Sequence, residues 1–130
     1  MQKLMHWPMN VLSMYALIGA YKPEGYEWVD ELCRVLSGNV SYACDFIKEH
    51  FPGVTLSRPQ GTYMLFLDCA EWLSAHETKL CELEHRGVHA GVIWQNGEDF
   101  IYPNSIRMNL ALPKKLLAEA LERLKKYAFI

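Results

Sequence analysis

The sequence predicts an α+β fold: a small, mostly antiparallel sheet of three to four strands with helices packed on one face, preceded by a long linking helix. Three observations carry that expectation. Residues 105–113 (Ser-Ile-Arg-Met-Asn-Leu-Ala-Leu-Pro) alternate as a strand does, with Ile106, Met108 and Leu110 on one face and Arg107, Asn109 and Ala111 on the other. Residues 62–68 (Thr-Tyr-Met-Leu-Phe-Leu-Asp) are apolar on both faces, as an interior strand is. Leu116, Leu117, Ala120, Leu121, Leu124 and Ala128 then recur at helical spacing with the charges opposite, the stripe of a helix that lies on such a sheet.

Taken in order, residues 10–21 read as a helix, apolar nearly all round through Val11, Met14, Tyr15, Leu17, Ile18 and Tyr21, and so in need of a cover. Lys22-Pro23-Glu24-Gly25 breaks it. A longer helix follows from about Tyr26 to His50, with Trp28, Leu32, Val35, Leu36, Ala43, Phe46 and Ile47 as its stripe and Gly38 marking a bend or a close contact. Val54–Ser57 is a short strand, and Arg58-Pro59-Gln60-Gly61 turns into the apolar strand. Ser74-Ala75-His76-Glu77 has the spacing of a capping box, opening a helix that runs to about Arg86 and stops at Gly87. Val88–Val92 reads as a short strand or extended segment. Ile93–Asn104 reads as a loop with Gln95-Asn96-Gly97-Glu98 at its tip. The element order is helix, long helix, strand, strand, helix, strand, strand, helix.

Composition excludes several classes of function. Thirteen Lys and Arg against fifteen Asp and Glu leave a formal charge of −2, with no basic surplus to attract nucleic acid or an anionic membrane. The four cysteines (Cys33, Cys44, Cys69, Cys81) form no Cys-x-x-Cys pair, which fits a reducing compartment and a cytoplasmic location. Lys3 and the apolar run Val11–Ala20 resemble a short leader, but Pro8, Asn10 and Ser13 dilute it and export is not expected. No stretch is apolar enough for long enough to span a bilayer. Cys81, His85 and His89 fall at steps of four, but the expected break at Gly87 separates them and no fourth ligand is near, so no metal site is expected. Asn39-Val40-Ser41 is formally a glycosylation sequon and is taken as chance.

The candidate site residue is Arg107. A guanidinium held on a rigid strand, projecting away from the core, suits a planar carboxylate because the two groups pair through two parallel hydrogen bonds.

Three stretches together resemble one family. Arg58-Pro59-Gln60-Gly61-Thr62-Tyr63 leads into a strand ending at Asp68; a glycine-containing loop precedes residues 105–113; and residues 116–124 (Leu-Leu-Ala-Glu-Ala-Leu-Glu-Arg-Leu) close the chain. This order resembles the C-terminal small domain of class I/II aminotransferases, pyridoxal-phosphate (PLP) enzymes of fold type I, and most resembles the cystathionine β-lyase, or C–S lyase, branch. The run 10–39 is similar to that branch's helix linking large and small domains. The resemblance implies residues 1–25 as a linker helix packed on a large domain and residues 26–130 as the small domain.

The resemblance also implies roles. Arg107 would grip the α-carboxylate of an amino-acid substrate, and Trp94, in the 90–97 loop, would lie near the pocket mouth. The family's Schiff-base lysine follows a serine-containing motif, and no lysine here has that context; Lys22 and Lys79 come nearest. No catalytic, cofactor-binding or metal-binding residue is therefore expected in this chain. PLP would belong to a parent enzyme, an aminotransferase or a C–S β-lyase, and no cofactor is expected on this chain. The isolated chain is expected to be inactive, to have a large N-terminal domain as its missing partner, and to be homo-oligomeric through its uncovered helix. The alternative is a free-standing α+β regulatory module that binds a small molecule.

Overall fold

The alternation over residues 105–113 produces the central feature of the fold. The computed structural model describes residues 10–130, and in it this segment forms β4 (Ser105–Asn109), paired antiparallel with β2 (Met64–Asp68). Two two-residue strands complete the sheet: β1 (Thr55–Leu56) beside β2, and β3 (Gln95–Asn96) beside β4. The order is β1-β2-β4-β3, all antiparallel, so the strand that is apolar on both faces is interior as expected. Pairing Leu65 with Met108 and Leu67 with Ile106 puts four apolar side chains on one face. Pairing Met64 with Asn109, Phe66 with Arg107 and Asp68 with Ser105 puts the others opposite.

The chain divides into two compact units, Met1–Val35 and Leu36–Ile130, the boundary falling inside one long helix. In the first unit, α1 (Val11–Ala20) is capped by Asn10, whose side chain accepts from the Ser13 amide at 2.8 Å. None of its residues is buried; Leu12 is 81% exposed. The expected break is shorter than the sequence suggested. Pro23 opens α2 (Pro23–His50), because its missing N–H costs nothing in a first turn. The reading of the first twenty residues as a diluted leader falls partly on residues 1–9, outside the described residues.

In the second unit, Ala43 and Ile47 of α2 and Leu117, Leu121 and Leu124 of α5 (Lys114–Tyr127) are buried in one core with Leu65, Leu67, Ile106, Met108 and Leu110. Phe129 stacks on Phe51 with ring centroids 4.3 Å apart and meets the edge of Trp72, so the chain end seals the core. Asn39 is a buried polar exception at 1% exposure, and its Nδ2 donates to the carbonyls of Leu110 (2.9 Å) and Leu112 (2.8 Å). That amide ties the end of β4 to α2, and its burial explains why a sequon here means nothing. No atom lies within 4 Å of where a Cβ would sit on Gly38, so close contact is not its reason.

Several expectations fail between residues 69 and 104. Ser74 does not open a helix; it lies in α3 (Ala70–Ala75), whose first turn is served by Asp68 accepting from the Ala70 amide at 2.9 Å. Glu77 takes a left-handed backbone (φ 47°) instead of a capping role, and α4 (Leu80–His89) starts after Lys79. That helix runs through Gly87, so Cys81, His85 and His89 all lie on it, and Val88 is helical rather than extended. Among the described residues no three His, Cys, Asp or Glu side chains are grouped to hold a metal. The proposed loop 93–104 contains β3 and a 3-10 turn, Gly97–Phe100. Beyond this region, Pro113 is the N-cap of α5. All four cysteines are free thiols, and no helix among the described residues is long and apolar enough to cross a membrane.

Candidate functional site

A strand whose inner neighbours are Ile106 and Met108 has no choice about where residue 107 points. Arg107 stands on the face of the sheet away from the core, half-buried, directly between Phe66 on β2 and Gln95 on β3. Its guanidinium carbon lies 4.5 Å from the centre of the Phe100 ring and 5.8 Å from that of Phe66. Two aromatic faces therefore hold a cation they do not neutralise. Nη1 donates to Gln95 Oε1 at 3.0 Å. Nε is shielded from water and has no partner among the described residues, and no carboxylate there lies within ion-pair distance of the group. A desolvated donor of a permanently charged group, without an acid, is costly unless a ligand completes it.

The surroundings are built by the segment 97–104. Gly97 is buried against Ser105, and a Cβ there would fall 1.8 Å from the serine oxygen, so only glycine lets the turn close onto β4. Ser105, fully buried, donates from its hydroxyl to the Tyr102 carbonyl at 2.6 Å. Ile101 and Asn104 take left-handed backbones (φ 59° and 58°), which returns the chain so that Phe100 and Tyr102 both face Phe66. The Tyr102 hydroxyl donates to Asp68 Oδ2 at 3.1 Å, and that bond together with the carboxylate's charge raises the phenol pKa. Beside this pair a concavity of about 280 Å³ is lined by Thr55, Leu56, Ser57, Phe66, Asp68 and Tyr102. Phe66 is common to the concavity and to the arginine's flank.

Trp94 occupies a different place from Arg107. It precedes β3, and its ring packs partly buried against the core and over Gly87 of α4, where an added Cβ would meet the indole at 2.2 Å. The arginine's own neighbours are Gln95, Phe66 and Phe100. Phe66 lies in a strand that reads as apolar on both faces, so its face was not assigned from sequence; Gln95 and Phe100 carried no sequence signal, since neither β3 nor the 3-10 turn has a pattern long enough to read.

No family model matches the chain. Cystathionine beta-lyase PatB of Bacillus subtilis is 26% identical over 125 residues, 90% of this chain and 30% of that protein. Among solved structures, the PLP-bound C–S lyase of Staphylococcus hominis superposes with a TM-score of 0.80 at 26% identity, covering 92% of this chain and 32% of that one. Cystalysin of Treponema denticola, which contains a pyridoxal 5'-phosphate cofactor, gives 0.78 at 28% identity over 92% and 30%. The chain spans about a third of the length of the curated relatives it matches. Its homologues are cystathionine β-lyases and C–S lyases, its structural neighbours are PLP-dependent enzymes of fold type I, and it matches their C-terminal part.

Arg107 has the chemistry to pair with a carboxylate, whereas the lysines present do not fit the cofactor. PLP is held covalently by a lysine amine in a sheltered pocket. Every lysine among the described residues (Lys22, Lys48, Lys79, Lys114, Lys115, Lys125, Lys126) is solvent-exposed.

Proposed function

We propose that this chain supplies the substrate-carboxylate-binding part of a PLP-dependent enzyme acting on amino acids, an aminotransferase or a C–S β-lyase, and is inactive without the rest of that enzyme. The observation that carries the reading is Arg107: a rigid, acid-free guanidinium between two aromatic rings, in a chain whose relatives handle amino acids. Its task is to bind the α-carboxylate and fix the orientation of the bonds at the α-carbon. The cofactor, held elsewhere in such a protein, supplies the electron sink for breaking one of those bonds. Arg107 serves aminotransfer and β-elimination alike, so it assigns the substrate class and not the branch.

The uncovered α1 supports a partner. A self-sufficient binding module finishes its own surface, whereas here every residue of an apolar helix is unburied. We assign that helix to contact with a large N-terminal domain, the missing partner, and to association between copies. In this reading residues 1–25 are the linker and 26–130 the small domain.

The test is Arg107→Ala in a protein that joins this chain to its large domain. Losing a charged, paired contact in a water-poor site removes about 2–4 kcal/mol of transition-state stabilisation, so kcat/KM for an amino-acid substrate falls by roughly 30- to 1000-fold. Arg107→Lys recovers only part of it, because an ammonium cannot form the fork. An unchanged kcat/KM for Arg107→Ala refutes the assignment.

A further inference from the structure

An arginine side chain has four torsions to immobilise before it can present its fork, and the aromatic rings beside Arg107 fix only the plane of the guanidinium. Rotation within that plane is stopped by one bond, Nη1 to Gln95 Oε1 at 3.0 Å. Gln95 in turn sits on a strand of two residues, too short to hold register through its ladder alone. What seats it is the residue before it. Successive side chains of a strand point to opposite faces, so while Gln95 faces the arginine, Trp94 enters the core side and wedges its indole over Gly87.

We propose that Gln95 is the positioning residue of the carboxylate site, with Trp94 on Gly87 as the lock behind it. The inference rests on the reading of Arg107 given above. The choice of an amide is the chemical point. A glutamate at 95 has the same shape and reach, but it would pair with the guanidinium and occupy the ligand's place. A neutral acceptor fixes the group's orientation and leaves its charge unspent. Trp94 thereby has a role at the site without lining it, acting through the strand it anchors.

The experiment follows the Arg107 Nε–H resonance by nitrogen-15 NMR in the 130-residue chain titrated with sodium acetate at constant ionic strength, with acetamide as the uncharged control. The wild-type signal shifts saturably with acetate and not with acetamide. Gln95→Ala weakens acetate binding about fivefold, because the rotation that Gln95 had stopped must then be frozen on binding. Gln95→Glu, nearly isosteric and at an exposed edge position, moves the signal to its paired position without acetate and weakens acetate binding by more than about tenfold, as an internal competitor does. Backbone spectra confirm that the variants fold. If both Gln95 variants titrate like wild type while Arg107→Ala, followed through the backbone amide signals of β3 and β4, loses the acetate response, the positioning role is refuted and the carboxylate site stands. If the wild-type signal ignores acetate, or Arg107→Ala leaves acetate binding unchanged by those backbone signals, the carboxylate reading itself fails and takes this inference with it.

Discussion

Replacing Asn39 by alanine tests whether one amide holds the strand that carries Arg107. Both Nδ2 hydrogens are used, on the carbonyls of Leu110 and Leu112, at 2.9 and 2.8 Å. The side chain is buried, and so is Leu110, one of the two residues it serves. Two lost hydrogen bonds are worth about 2 kcal/mol net, and stranding the Leu110 carbonyl away from water adds about 1 kcal/mol. The sum of about 3 kcal/mol is a large part of the 5–15 kcal/mol typical of a domain. With a urea slope of about 1.5 kcal/mol/M, the unfolding midpoint drops by roughly 2 M. Asn39→Asp sharpens the test. Its carboxylate would face two carbonyl oxygens with no hydrogen to donate, so its folded-state pKa is raised above the ordinary value of about 3.9. A raised carboxyl pKa means stability is retained below that ordinary value and lost as pH rises through the folded one. Asn39→Asp should therefore be less stable than Asn39→Ala at pH 7 and recover as the solution is acidified. A midpoint shift under about 0.5 M for Asn39→Ala, or no pH dependence in the ratio of the two variants, refutes the reasoning.

Three further outcomes follow from particular residues. Burial, with the nearby Asp68 charge second, pushes the Cys69 thiol up to about 12, and burial also raises Cys44. A thiol reagent at pH 8 should accordingly modify exposed Cys33 and Cys81 quickly and the other two only on unfolding, as mass spectrometry of the labelled chain would show. Because the Cys69 pKa is raised on folding, its contribution to stability is intact below the ordinary thiol range and is lost as pH climbs from about 9 toward 12, which alkaline denaturant titrations would detect. Ile101 is β-branched, left-handed and 94% exposed, so Ile101→Gly should raise stability by about 1 kcal/mol in the same urea assay, and a loss would mean the side chain has a packing role. Leu12→Glu with Ile18→Glu, both on the uncovered α1, should lower concentration-dependent association in sedimentation, and an unchanged or absent association would count against the covering partner.

What the sequence disclosed and what it withheld differ by length of pattern. The alternation over 105–113 needed only β4's own residues, and it placed Ile106 and Met108 inside and Arg107 outside correctly. The α5 stripe was equally local, though Leu116 lies half outside the core it was assigned to. Between residues 69 and 104 the elements are too short for a period to declare itself: six residues in α3, two in β3, four in the 3-10 turn. There the deciding contacts are tertiary. Ser74 and Glu77 have the spacing of a capping box, yet Asp68, the last residue of β2 and six residues before Ser74, serves the helix start while also accepting from Tyr102. Gly87 looks like a stop, yet the helix continues to His89, and the missing Cβ makes room for the indole of Trp94, the residue before β3. The same contact explains how the site could be half seen. Arg107 advertises itself through strand geometry, whereas Gln95 matters only because Trp94 is seated seven residues beyond a glycine in another element. A residue whose value lies in aiming a neighbour leaves its trace in the register of two strands, and that register exists only once the core has closed.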